Sequence, residues 1–88
     1  MLVKYKTQTI NLDNILQFFI QNTGEHGIFT MYFVPNLQQT SMLKFKFTSE
    51  YSMNYNYEFL LKCQKEDRKV AILEDVKDPN TDIKIVEI

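Results

Sequence analysis

The amino-acid sequence predicts an α+β domain: one helix packed on a curved antiparallel sheet of about five or six strands, in the order β-α-β-β-β-β-β. Three observations carry the prediction. From Tyr51 to Cys63 every odd-numbered residue is aromatic or apolar, and among the even-numbered ones only Leu60 is. Leu12, Ile15, Leu16, Phe19 and Ile20 recur at the spacing of one helical stripe. Ile28 to Val34 leaves only Thr30 polar, the pattern of a strand covered on both faces.

Residues 2–9 alternate, with Val3, Tyr5 and Thr7 on one face and Lys4, Lys6 and Gln8 on the other, which predicts a first strand. Asn11 then stands as N-cap before the helical stripe, Asp13 suits the positive end of the helix dipole, and Gly24 suits the C′ position. One face of the Ile28–Val34 strand meets this helix. The other needs a second layer, a curled sheet or another protein chain. Pro35 and Asn36 end the strand, and Gln38 to Ser41 form a polar connection. Leu43, Phe45 and Phe47 then oppose Lys44, Lys46 and Thr48, so a half-exposed strand pairs as a hairpin with the one before it.

The run from Tyr51 to Cys63 reads as one long strand with an aromatic face, bent or bulged around Ser52 to Asn54. A helix would stack Tyr55, Glu58, Phe59 and Lys62 on one stripe, and is rejected on that ground. Glu66 to Lys69 makes a charged turn. Val70–Val76 and Ile83–Ile88 are two last strands, joined by a turn containing Asp78, Pro79 and Asn80, with Ile83–Ile88 as an edge. This element order resembles that of the cystatin-like fold, in which a sheet wraps around a single helix. The resemblance lies in element order alone, without that family's inhibitory loop residues, and implies no function.

A chain of 88 residues is expected to form one domain, residues 1–88, with room for one helix and one sheet but little for a deep pocket. Ten basic and eleven acidic side chains nearly cancel, which argues against a binder held by phosphate contacts and against an acidic nucleic-acid mimic. A single cysteine cannot form an internal disulfide, so a reducing, intracellular home is expected, in the cytoplasm of the cell or of a phage's host. No segment has the length of a membrane span, no leader segment is evident, and the opening Met suggests a complete small gene product. Phe, Tyr, Met, Ile, Asn and Lys supply 40 residues against 6 of Gly, Ala, Arg and Pro, a bias that points to an AT-rich genome such as a low-GC bacterium or its phages.

Catalytic chemistry finds little support. His26 beside Glu25 reads as a solvated turn histidine, far in sequence from Cys63. Asp78, Asn80 and Asp82 imitate the opening of a calcium loop, but Ile83 stands where glycine is required and the given sequence ends short of the bidentate glutamate. Neither zinc spacing nor a Gly-rich phosphate loop is present, so no metal, no cofactor and no enzymatic activity is expected. The expectation is instead a protein-binding module, an inhibitor or an immunity or anti-defence protein. Tyr51, Met53 and Tyr55, lying among Ser and Asn, are its candidate contact residues, together with Tyr32. A homodimer is a compatible expectation, through the second face of Ile28–Val34 or the edge Ile83–Ile88. The rival reading is single-strand nucleic-acid binding by Lys4, Lys6, Lys44 and Lys46, provided the two lysine-bearing strands are neighbours, with tyrosines stacking on bases.

Overall fold

A computed structural model describes residues 1–21, 28–36 and 41–79. The expected turn around Gly24 and His26, most of the Gln38–Ser41 connection, Asn80, Asp82 and the Ile83–Ile88 strand lie outside the described residues. The α+β class holds, as one helix on two small, mostly antiparallel sheets. Strands β1 (Leu2–Tyr5) and β2 (Gln8–Asn11) form a hairpin, and β6 (Val70–Leu73) pairs parallel to β1, giving the order β2-β1-β6. Strands β3 (Ile15–Gln21), β4 (Phe29–Pro35) and β5 (Leu43–Phe47) form an antiparallel meander. The helix α1 (Glu50–Lys65) connects β5 to β6. No helix among the described residues is long and apolar enough to cross a membrane.

The helix and one strand are therefore exchanged relative to expectation. The Tyr51–Cys63 run is helical, because its buried stripe is Met53, Asn56, Leu60 and Cys63, flanked by Ser52. Those spacings of three and four residues make one helical face, and Leu60, the one apolar residue among the even positions, lies at its centre. Ser49 caps the start by accepting the Ser52 N–H at 3.0 Å. At the other end Asp67 N–H reaches the Gln64 carbonyl and Arg68 N–H the Cys63 carbonyl, the paired bonds of a Schellman motif, with Asp67 at φ 59°. Glu50 in the first turn and Lys62 and Lys65 in the last complement the dipole.

Asn11 does cap a helical turn, accepting the Asp13 N–H, but the turn is a single 3-10 piece, Leu12–Asn14. The rest of the expected helix is β3. Phe18 and Ile20 face the core opposite Phe33 and Met31, whereas Phe19 lies on the other side opposite Tyr32. A run apolar on both faces satisfies a strand that has work on both, and Leu16, extra in the register between Ile15 and Gln17, is bulged out and exposed. The expected first strand is likewise broken, by a tight turn at Lys6 and Thr7 with Lys6 at φ 54°. The single meander becomes two sheets, and the cystatin-like order does not hold. The β4–β5 hairpin and a strand beginning at Val70 stand as expected.

Tyr5 joins the two sheets. Its ring lies 5.1 Å from Phe45 and 4.7 Å from Phe47, and its hydroxyl donates to the Lys46 carbonyl at 2.6 Å. Around it Val3, Ile10, Met31, Phe33, Phe45, Phe47, Met53, Leu60, Ala71 and Leu73 make one buried cluster.

Candidate helix surface

The helix has a second stripe, exposed along most of its length and half-buried only at Phe59, which packs against the core. Tyr51, Asn54, Tyr55, Glu58, Phe59 and Lys62 fall at i, i+3, i+4, i+7, i+8 and i+11 and line an open groove of about 500 Å³. This is the Tyr55, Glu58, Phe59 and Lys62 stripe whose mixed character seemed to exclude a helix. It is mixed because it is a surface. Tyr51 and Tyr55 stack at 6.1 Å with 26° between ring planes, and remain 38% and 50% exposed. Two stacked rings four residues apart, a rise of about 6 Å along the helix, form a rigid, amphipathic platform.

The expected contact residues separate. Tyr51 and Tyr55 are brought together. Met53 is 2% exposed and belongs to the core, because on a helix it sits on the opposite stripe from its odd-numbered neighbours. Tyr32 is elsewhere, on the outer face of the β3-β4-β5 sheet, stacked on Phe19 at 5.1 Å with the Lys44 ammonium 5.8 Å from its ring centre. The lysines separate too. Lys44 and Lys46 lie on β5 in that sheet, Lys4 lies on β1 in the other, and Lys6 sits in the β1–β2 turn, 5.3 Å over the Tyr5 ring. Strands β1 and β5 are not hydrogen-bonded neighbours, so the four ammonium groups do not share one sheet face. Asn54, Glu58, Phe59 and Lys62 were not among the expected contact residues. The capping serine at 49 and the terminal lysines at 62 and 65 were the signals that could have found them.

Beneath this surface a polar knot fastens the chain after β6 to the helix. Asn56 donates to the Glu74 carbonyl at 2.7 Å and accepts the Glu74 N–H at 3.1 Å, closing that residue as a neighbouring strand would. The Ser52 hydroxyl donates to the Asp75 carboxylate at 2.7 Å and accepts the Val76 N–H at 2.9 Å. Thr48 N–H also donates to Asp75. Burial pushes the Asp75 pKa up, but Ser52, Thr48 and the nearby Lys6 charge outweigh it and hold the carboxyl below its usual range. Burial, reinforced by the Asp75 charge, pushes the Tyr5 phenol up to about 12. A serine hydroxyl that is fully buried and occupied as both donor and acceptor is a structural tie and not a poised nucleophile. Among the described residues no group of three or more His, Cys, Asp or Glu is placed to hold a metal ion. Cys63 is buried against the core.

No family model matches this chain, and no curated protein or solved structure matches it.

Proposed function

We propose that this chain is a non-enzymatic protein-binding module that presents the outer stripe of α1 and acts by occupying a partner's surface. An inhibitor, immunity or anti-defence protein of a low-GC bacterium or its phage, working in the cytoplasm, would act in this way. One observation carries the reading: the stacked, exposed pair Tyr51 and Tyr55 on a helix whose other face is fixed in the core. Both rings are preorganised, so little side-chain freedom is left to lose on binding. The test is affinity capture from a low-GC bacterial lysate by the wild-type chain and by Tyr51→Ser/Tyr55→Ser. A stoichiometric partner retained by the first and lost by the second, with unchanged circular dichroism, is the expected result. Retention by both would remove the helix face from the reading.

Single-strand nucleic-acid binding is a second reading, now confined to the outer face of the β3-β4-β5 sheet. Register puts Phe19, Tyr32 and Lys44 in one cross-strand row and Gln21, Thr30 and Lys46 in the next, with no carboxylate among these six. Against it, Tyr32 already has Phe19 and the Lys44 ammonium beside its ring. Oligonucleotide affinity that is salt-dependent and weakens in Lys44→Ala/Lys46→Ala is what this reading requires.

A further inference from the structure

Strand β6 has a hydrogen-bonded neighbour on one side only among the described residues. Leu2 N–H donates to the Lys69 carbonyl, so Lys69, Ala71 and Leu73 turn their backbone groups toward β1. Alternation then turns those of Val70, Ile72 and Glu74 outward. Glu74 is closed by Asn56, which leaves Val70 and Ile72 as the open part of the edge. Their side chains are 43% and 62% exposed. The strand Val-Ala-Ile-Leu carries no proline, charge or bulge, the devices that normally keep an edge unpaired.

We infer that this edge pairs antiparallel with the β6 of a second copy, joining two three-stranded sheets into one continuous sheet. Charge selects the orientation. Arg68 and Lys69 precede the strand, and Glu74 and Asp75 follow it. Asp75 is held by Ser52 and Thr48, so the choice rests on the exposed Arg68, which also holds Glu66 at 3.0 Å. An antiparallel copy sets Arg68 against Glu74, whereas a parallel copy sets Arg68 against Arg68 and Glu74 against Glu74. The Asn56 closure selects the register. Side chains stay on their proper faces only when the twofold axis passes through a residue. An axis at Val70 or Leu73 would need the Arg68 N–H, held by the Cys63 carbonyl, or the closed Glu74. An axis at Ile72 would ask Glu74 to pair with the copy's Val70, and Glu74 is taken. An axis at Ala71 pairs Val70 with the copy's Ile72, and Ile72 with the copy's Val70, using the open backbone groups alone. It also sets Arg68 opposite the copy's Glu74, twice by symmetry. The edge borders the aromatic platform, since Ile72 lines a small cavity of about 90 Å³ with Tyr55 and Phe59, but the pairing is argued from the β6 backbone and not from the Tyr51–Tyr55 pair.

Sedimentation equilibrium of the full chain at micromolar concentration tests it, expecting twice the 10.5 kDa chain mass. Ile72→Lys, an edge-protecting change at an exposed position, is expected to give the single-chain mass with unchanged circular dichroism. Arg68→Glu is expected to shift the equilibrium toward monomer, and Arg68→Glu/Glu74→Arg to restore the dimer. Tyr51→Ser, away from the cavity that Ile72 lines, is expected to stay dimeric. A wild-type monomer overturns the pairing, and so does an Ile72→Lys dimer or a charge swap that restores nothing. Hydrogen exchange separates the causes of a monomer: protected Val70 and Ile72 amides would mean that another stretch of the same chain covers the edge.

Discussion

Asn56 shows how much one polar side chain in a core can organise. Both ends of its amide bond the backbone of Glu74, while the adjacent Ser52 hydroxyl holds Asp75 and Val76. No buried side-chain nitrogen or oxygen among the described residues is left without a partner, so the knot avoids the cost of an unmade bond. Asn56 is also why the helix was hard to see. Its polarity, with that of Ser52, removed two of the five buried positions from the apolar stripe. Asp75 gives this knot a pH signature. Its carboxyl is held low in the folded chain, so its contribution is present above the unfolded carboxylate range near pH ~4 and is lost as pH falls through the folded value. Urea midpoints measured from pH 7 down to pH 2 are expected to fall more steeply for wild type than for Asp75→Asn, which starts lower. Parallel curves would show that Asp75 is not the group responsible.

At the scale of elements, periodicity was legible where one face of a strand is buried and misleading elsewhere. The β4–β5 hairpin was legible as a pair, and on β5 the alternation of Phe45 and Phe47 with Lys44 and Lys46 marked the core face, although Leu43 on that face is exposed. Strand β3 carries apolar residues on both faces, interrupted only by Gln17 before its last residue, and such a run fits a helical stripe as easily as a strand. The aromatic alternation of α1 arises because Tyr51, Tyr55 and Phe59 belong to its outer stripe and Met53 and Cys63 to its inner one. Of the expected contact residues Tyr51 and Tyr55 are exposed, but the flanking Ser and Asn were no guide to it, since Ser52 and Asn56 are themselves buried, as is Met53 between Ser52 and Asn54. The helix ends are a more dependable guide than its middle, and its C-terminal end holds a strain that can be relieved. Asp67 occupies the left-handed C′ position that glycine takes at least cost. Asp67→Gly is expected to stabilise the chain by about 0.5–1 kcal/mol, read as a higher urea midpoint at unchanged slope.

At the scale of the whole molecule, two three-stranded sheets share one core, and Tyr5 is where they meet. Tyr5→Phe keeps the ring contacts with Phe45 and Phe47 but removes the 2.6 Å bond to the Lys46 carbonyl, at an expected cost of about 1–2 kcal/mol at neutral pH. The phenol holds its proton up to about 12 when folded, against an ordinary value of 10.0. The folded state therefore binds the proton more tightly, and this stabilisation, whole below pH 10, is lost as pH rises toward 12. Denaturation between those values is expected to be flatter in Tyr5→Phe than in wild type. An identical alkaline profile would remove Tyr5 as the link that senses it.

The parallel pairing of β1 with β6 also sets an order of events on the ribosome. The β3-β4-β5 meander is made of neighbours in sequence and has all its strands once Phe47 has emerged. The β1–β2 hairpin is synthesised first, yet β1 has its second neighbour only after Leu73 is out, with the meander and the helix made in between. Through most of synthesis the oldest part of the chain carries an open strand edge, and chaperones or a neighbouring nascent chain would meet it there. Loop closure over nearly the full described length then comes last, which makes the first-made sheet the slowest to be completed.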